Sequence, residues 1–500
     1  MSALVRTHIP MLDAARHRLV AAVLALALAA SVVGQAIAPR VDSGPSTTVL
    51  VSTVASADDA VTRAVAALGG RILQRLPIVD GFSATLPLSA LEALRAVPGV
   101  RSVATNAPVQ VQGRFGEASG VASAVYTDVV GAPAAWSAGA TGAGIGVAVI
   151  DTGINATGDL AGKVAHAQDF TAERNNIDTY GHGTFVAGLI AGNGAGSGGE
   201  VQGVAPGAHL VSVKIAGRDG SSDLVKLLAA LQWVVTFKDA YGIRVLNLSI
   251  GTSSAQDYRI DPLNFAVERV WNAGIVVVAA SGNGGTAAGT VTKPGDDPLV
   301  ITAGASDDRT TTARDDDTLA TFSGSGPTAS NGLAKPDLLA PGKSVVSLRS
   351  PGSTIDEGAP SARIGDGYFK GSGTSFAAPI TAGTAALVLS SNPRLNPNQV
   401  KHRLTSTAQP VPGVPVTSAG SGQIDAQAAV AGTSLTEANR GVAPALGGGS
   451  LQRTRGIACL KSSTGGCATD AAANAALGFV PTEYFGSRWA GSQWAGSQWA

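Results

Sequence analysis

Four side chains in this 500-residue sequence have the types and settings for acyl transfer: Asp151 in VIDTGI, His182 in GHGTFVAG, Asn283 in AASGN and Ser375 in GTSFAAP. A serine hydroxyl attacks a carbonyl only when a base takes its proton, and an imidazole does this near neutral pH. A carboxylate orients that imidazole, and an amide N–H donates to the oxyanion that forms. Taken singly, each residue has a plainer reading: a turn Asp or Asn, a helix-start His, an N-cap Ser. Their placement on the elements around them decides between the two.

Asp151 directly follows a short apolar run, 146–150, that reads as a strand. In an open parallel sheet, ligands bind outside the carboxyl ends of strands, so Asp151 is placed at the crevice. His182 stands between Gly181 and Gly183, ahead of an apolar helix over 184–191. Asn283 follows a strand over 275–280 through Ser281-Gly282. Ser375 opens a helix over 375–390, whose positive end favours a developing oxyanion. Pro379 is tolerated there because the first turn lacks N–H partners. Further β-branched runs at 210–215, 244–250 and 299–303 lack alternation, as strands buried on both faces do. Helical patterns over 222–241, 262–273 and 397–407 fall between or after them. The fold class is therefore α/β, a three-layer domain over 129–432 with a mainly parallel central sheet and helices on both sides. Of the 6 histidines, His8 and His17 lie near the start and His402 in a late helix. His166 and His209 lack a glycine-framed setting.

Before that body, 47–110 reads as strand–helix–strand–strand–helix–strand, the ferredoxin-like α+β pattern. Residues 111–128 read as a linker. At the start, Arg6, Arg16 and Arg18 precede an apolar run over 19–38, so 1–36 reads as a secretory signal cut after Ala36. The alternative is an uncleaved membrane anchor, since the run approaches spanning length. Residues 433–500, rich in Gly, Ser and Ala, read as a flexible tail. It ends in a five-residue repeat carrying Trp489, Trp494 and Trp499, for which surface attachment is the alternative role. Cys459 and Cys467, the two cysteines of the chain, allow either a small disulfide loop or two thiols. Two cysteines, both near the C-terminus, argue against a cysteine-ligated zinc site and against a cysteine nucleophile paired with His182. Lys plus Arg and Asp plus Glu both number 35, so nothing points to nucleic acid.

At these residues the chain resembles the subtilisin family of serine peptidases, over most of 129–432. The order Asp, His, Ser is that family's order. The resemblance implies that Asp151 orients His182, His182 takes the Ser375 proton, Ser375 attacks a peptide carbonyl and Asn283 binds the oxyanion. It further implies that Ser249, Ile250 and Gly251, in Asn247-Leu248-Ser249-Ile250-Gly251, form the edge strand that pairs with substrate. Lys335-Pro336-Asp337 before Ala340-Pro341-Gly342 also fits the family. By the same resemblance, 47–110 is an inhibitory propeptide whose tail occupies the cleft until self-cleavage. Phe185 and Phe376 depart from the family's usual His and Met at packing positions. Gly284 stands where some relatives carry an acid, which disfavours basic side chains at the substrate's primary position. Calcium is common in the family, and Asp307 or the Asp296–Asp297 pair has suitable chemistry. No segment reproduces a family calcium loop, so no metal is assigned and no cofactor is required.

The expectation is a secreted, self-processing serine endopeptidase acting on proteins or peptides. Its own propeptide is an intramolecular partner, and a membrane is met only during export or through an uncleaved signal. One rival is a catalytically silent surface protein that holds peptides on the same fold, which requires a missing triad member. Another is an esterase or lipase, which requires a G-x-S-x-G elbow that is absent around Ser375.

Overall fold

The computed structural model describes residues 45–106, 108–111, 114–115, 124–454, 460–461 and 467–468. The signal reading of 1–36, most of the linker, Cys459 and the Trp repeats lie outside the described residues.

Ser46–Thr53 (β1), Arg71–Leu76 (β2), Gly81–Pro87 (β3) and Val100–Thr105 (β4) form an antiparallel sheet in the order β2-β3-β1-β4, the ferredoxin-like arrangement. Alternation along β1 gives it two working faces. Val49 and Val51 join Val61, Val65, Phe82 and Leu94 in a small core closed by helices Asp58–Ala67 and Leu91–Arg95. Leu50, between them, belongs to the large core of the body. This unit therefore does not stand alone, because the body of the protein covers the outer face of its sheet. The turn Pro77–Val79 meets two helices of the body, Leu224–Phe237 and Pro262–Asn272. There Arg269 pairs with Asp80 at 2.9 Å. The next pieces of chain are two short strands, Pro108–Val111 (β5) and Arg114–Phe115 (β6).

The body contains Gly146–Asp151 (β7), Val164–Asp169 (β8), His209–Lys214 (β9), Ser221–Asp223 (β10), Ile243–Leu248 (β11), Ile250–Gly251 (β12), Val276–Ala280 (β13), Ile301–Asp307 (β14), Thr318–Leu319 (β15) and Leu338–Pro341 (β16). Strands β8-β9-β7-β11-β13-β14 pair side by side in parallel; β16 adds parallel to β14 and β15 antiparallel. From β7 the chain goes to the edge strand β8 and back to β9 on one side, then builds outward from β11 on the other. The crevice at such a reversal opens at the carboxyl ends of β7 and β11. Three further strands, Val345–Leu348 (β17), Arg363–Ile364 (β18) and Tyr368–Ser372 (β19), form a separate antiparallel sheet.

Helices His182–Ala191 and Thr374–Ser391 pack against each other and against the body's strands. Both are apolar on every side, as buried helices are. Among the described residues, Thr374–Ser391 is the one helix long and apolar enough to cross a bilayer, and 89% of it is buried inside the protein. Its apolarity belongs to the core.

Several boundaries move from their sequence expectations. The helix expected over 222–241 is Leu224–Phe237, because Ser221–Asp223 is extended and the Asp223 side chain accepts from Lys226 N as an N-cap. Strand β8 escaped notice because it is the half-buried edge of the sheet and reads as polar. The flexible tail expected from 433 is corrected in its first part. Ala445 N donates to Glu268 Oε2 at 2.8 Å, Leu446 N to the Arg259 carbonyl at 2.7 Å and Gly449 N to the Ile260 carbonyl at 2.7 Å. A Gly-rich composition signals freedom only until its backbone groups find partners.

Two outcomes test this packing. Leu246 is fully buried in β11, so Leu246→Ala costs about 2–5 kcal/mol of stability, read from denaturant unfolding. Burial, with Asp297 opposite, pushes the Glu268 carboxyl up to about 8. A raised carboxyl binds its proton more tightly folded than unfolded, so stability is full below about pH 4.5 and is lost as pH rises through 8. Thermal scans across that window should show the decline, and Glu268→Gln should flatten it.

Candidate active site

Asp151 is the last residue of β7 and His182 the first of its helix; both side chains are fully buried. His182 Nδ1 lies 2.9 Å from Asp151 Oδ1 and 3.0 Å from Oδ2. Thr152 N also donates to Asp151 Oδ1 at 2.8 Å. With Nδ1 engaged, the ring presents Nε2 away from the carboxylate, the arrangement a general base needs.

The glycines around His182 are demanded by space. Gly181 has φ 108°, in the left-handed region. A Cβ on Gly183 would stand 2.1 Å from the Gly153 carbonyl oxygen. One residue that sequence reading passed over, Asp178, joins the two loops. Its Oδ1 accepts from Thr152 Oγ1 and Gly181 N, both at 2.7 Å, and its Oδ2 accepts from Thr184 N at 2.7 Å. Asp178 thus caps the start of the histidine helix and fixes the exit of β7. Burial pushes its carboxyl pKa upward, and these N–H and O–H donors oppose that. The sequence around Asp178 reads as an ordinary turn, and its link to Thr152, 26 residues earlier, exists only in the folded chain.

Ser375 stands in the first turn of Thr374–Ser391 and is fully buried. The helix starts one residue earlier than the sequence suggests. Pro379 lacks an N–H, so the Ser375 carbonyl four residues before it has no helical partner. Ser249 Oγ donates to that carbonyl at 2.8 Å, and Ser375 Oγ returns a 3.3 Å bond to the Ser249 carbonyl. Asn247 Nδ2 in turn holds Ser249 Oγ at 3.0 Å. Phe376 places its ring 5.6 Å from the His182 imidazole and 4.4 Å from Phe185. The two departures from the usual pattern are thus one packing unit beside the imidazole.

Asn283 is half-buried beyond β13. Its Oδ1 accepts from Thr374 N at 2.9 Å and Thr374 Oγ1 at 3.1 Å. That use of the oxygen leaves Nδ2 as the group able to donate, next to the start of the serine helix. The remaining central histidines are occupied elsewhere. His209 Nε2 meets the Tyr241 carbonyl at 2.9 Å, and His166 stacks on Tyr241 at 4.2 Å.

Strand β5 lies antiparallel between two edges. On one side Ile250 pairs with Val111 and Gly251 with Gln110; on the other Ser221, Ser222 and Asp223 pair with Gln110, Val109 and Pro108. Of the three residues expected to line this edge, Ile250 and Gly251 pair directly, while Ser249 is the tether to Ser375. The second edge was missed, because three residues after a turn carry no strand signal. Past this point, Phe115 pairs with Gly371 and Arg114 with Ser372, on the approach to the serine helix. Asn106 Oδ1 accepts from Val225 N at 3.0 Å, capping helix Leu224–Phe237 from the N-terminal unit.

The acids considered for calcium have other partners: Asp307 with Lys343 at 2.7 Å, Asp296 with Lys293 at 2.6 Å, and Asp297 with Leu299 N at 2.8 Å. Among the described residues no group of three or more His, Cys, Asp or Glu is arranged for a metal.

Comparison with known proteins agrees with this architecture. Residues 142–441 match the model of the subtilase family, and residues 19–106 match a peptidase inhibitor domain family. The chain is 42% identical over 270 residues to serine protease AprX of Bacillus subtilis (strain 168), covering 53% of this chain and 61% of that protein. It is 36% identical over 301 residues to subtilisin BL of Lederbergia lenta, covering 60% of this chain and 96% of that protein. The fold is similar to that of fervidolysin from Fervidobacterium pennivorans, described as a keratinolytic enzyme related to subtilisin. The TM-score is 0.62 at 24% identity, over 79% of this chain and 62% of that one. The chain thus spans about three-fifths of the length of AprX and of fervidolysin. With its family model matched over 142–441, the chain belongs to the subtilase family.

Proposed function

We propose that the protein is a serine endopeptidase, exported and made as a self-processing precursor, whose nucleophile is Ser375. The observation that carries this reading is its own strand β5, held like a peptide substrate between β10 and β12, with Ser249 of that cleft bonded to Ser375. His182 takes the Ser375 proton, and Asp151 stabilises the imidazolium that results. The serine oxygen adds to the peptide carbonyl, and the oxyanion receives Asn283 Nδ2 together with an N–H of the helix start. Collapse expels the amine, protonated by His182, and leaves an acyl-enzyme. Water, deprotonated by the same imidazole, then releases the acid. No step calls for a metal. Export is supported by the basic-then-apolar start of the sequence, and extended recognition by backbone pairing suits proteins and peptides as substrates.

Expression of the chain beside its Ser375→Ala variant tests this. The wild type should shorten from its N-terminus and be labelled at Ser375 by a fluorophosphonate, while the variant stays intact and unlabelled. A wild type that does neither rules out the reading; a variant that matures on its own rules out self-processing. The pairings also limit where the cut falls. Val111 is opposite Ile250 and Arg114 opposite Ser372, which supports a cut at one of the three bonds joining residue 111 to residue 114. Sequencing of the matured protein should find a new N-terminus at Gln112, Gly113 or Arg114. In the mature enzyme, Asn283→Ala should lower kcat by about a hundred- to thousandfold with little change in KM, the cost such a loss carries in subtilisin itself.

A further inference from the structure

We propose that the short helix Leu451–Thr454 forms the outer wall of the amino-side half of the cleft and gives the enzyme its preference for long substrates. The proposal rests on the endopeptidase reading and adds to it a specificity-determining segment. The pairing of β12 with β5 covers Ile250 and Gly251, and the next residue, Thr252, exchanges both its backbone hydrogen bonds with Lys293, at 3.0 and 2.8 Å. The Thr252 side chain reaches the C-terminal segment. Thr252 Oγ1 donates to the Thr454 carbonyl at 2.5 Å, and Thr454 is fully buried. In the precursor the same helix lies against β4 of the N-terminal unit. Removal of that unit uncovers the helix beside the path that a longer peptide takes.

The helix is held there by contacts outside the cleft. Gln256 accepts from Ser450 N at 2.9 Å, and its Nε2 donates to the Ser450 carbonyl at 3.1 Å, to Thr454 Oγ1 at 3.3 Å and to Asp261 Oδ2 at 2.8 Å. Gly449 passes so close to the loop before Pro262 that a Cβ would stand 2.6 Å from the Ile260 carbonyl oxygen. Gln256→Ala and Gly449→Val should each release Leu451–Thr454 without touching the reacting groups.

The test uses the full chain, matured, with two quenched fluorescent peptides. One copies residues 109–116 and the other residues 104–116, so they differ only in length on the amino side. In the wild type the longer peptide should be cleaved with kcat/KM about tenfold above the shorter. In both variants that ratio should fall to within about twofold, because cleavage of the longer peptide slows while the shorter is unaffected. A ratio that stays at the wild-type value overturns the proposal. So does a parallel loss on both peptides in both variants, which makes the segment a structural support. A wild type that cleaves neither peptide overturns the endopeptidase reading itself.

Discussion

A proline inside a helix leaves the carbonyl four residues earlier without a partner, and in this protein that carbonyl belongs to Ser375. Left buried and unpaired it would cost about 1–3 kcal/mol. Ser249 Oγ satisfies it instead, and the Ser375 hydroxyl bonds back to Ser249. Ser249 lies between β11, in the middle of the parallel sheet, and β12, on the edge of the cleft. One pair of hydrogen bonds thus ties Ser375, the sheet and the edge that pairs with β5 into a common register. The neighbouring elements keep that register rigid. Thr374–Ser391 is buried along almost its whole length, and Asn247 steadies the Ser249 hydroxyl from β11.

The imidazole is positioned from the opposite side by a different device. Asp151 and His182 come from two loops that must meet closely, and the absence of a Cβ at Gly183 permits it. Asp178 then fastens those loops with three hydrogen bonds of 2.7 Å each. Three short bonds from one buried side chain fix both loops beside the imidazole. Phe376 carries the serine helix onto the His182 ring, so the two halves of the site touch through packing as well.

The N-terminal unit uses both faces of its sheet, one for its own small core and one for the body. Its continuation enters the cleft as the middle strand of three, with Val109 buried. The backbone groups of β10 and β12 are the ones a peptide laid in this cleft would pair with, and in this structure β5 occupies them. The segment ending at Thr454 lies against β4 of the N-terminal unit and accepts a hydrogen bond from Thr252, the residue after β12.

Asp151, His182, Asn283 and Ser375 were legible in the sequence because their motifs combine a reactive side chain with strand-end or helix-start neighbours, a local pattern. The parallel sheet and the ferredoxin-like unit were legible from the period of their apolar residues, also a local property. The second cleft edge at Ser221–Asp223 and the half-buried strand β8 were not, because their roles depend on partners many residues away and their own composition is that of turns and edges; Asp178 was not, because its bond across to Thr152 is 26 residues away and its nearer bonds look like those of any turn Asp. The same holds for the docking of Ala445 to Thr454, where Gly-rich chain reads as free until distant acceptors are supplied. Sequence alone determined which side chains are candidates for the chemistry and which elements carry them, since both follow from residue type and spacing. Tertiary structure decided how those groups are held, since hydrogen bonds such as Ser249 to Ser375 join residues 126 positions apart and exist only once the sheet has brought them together.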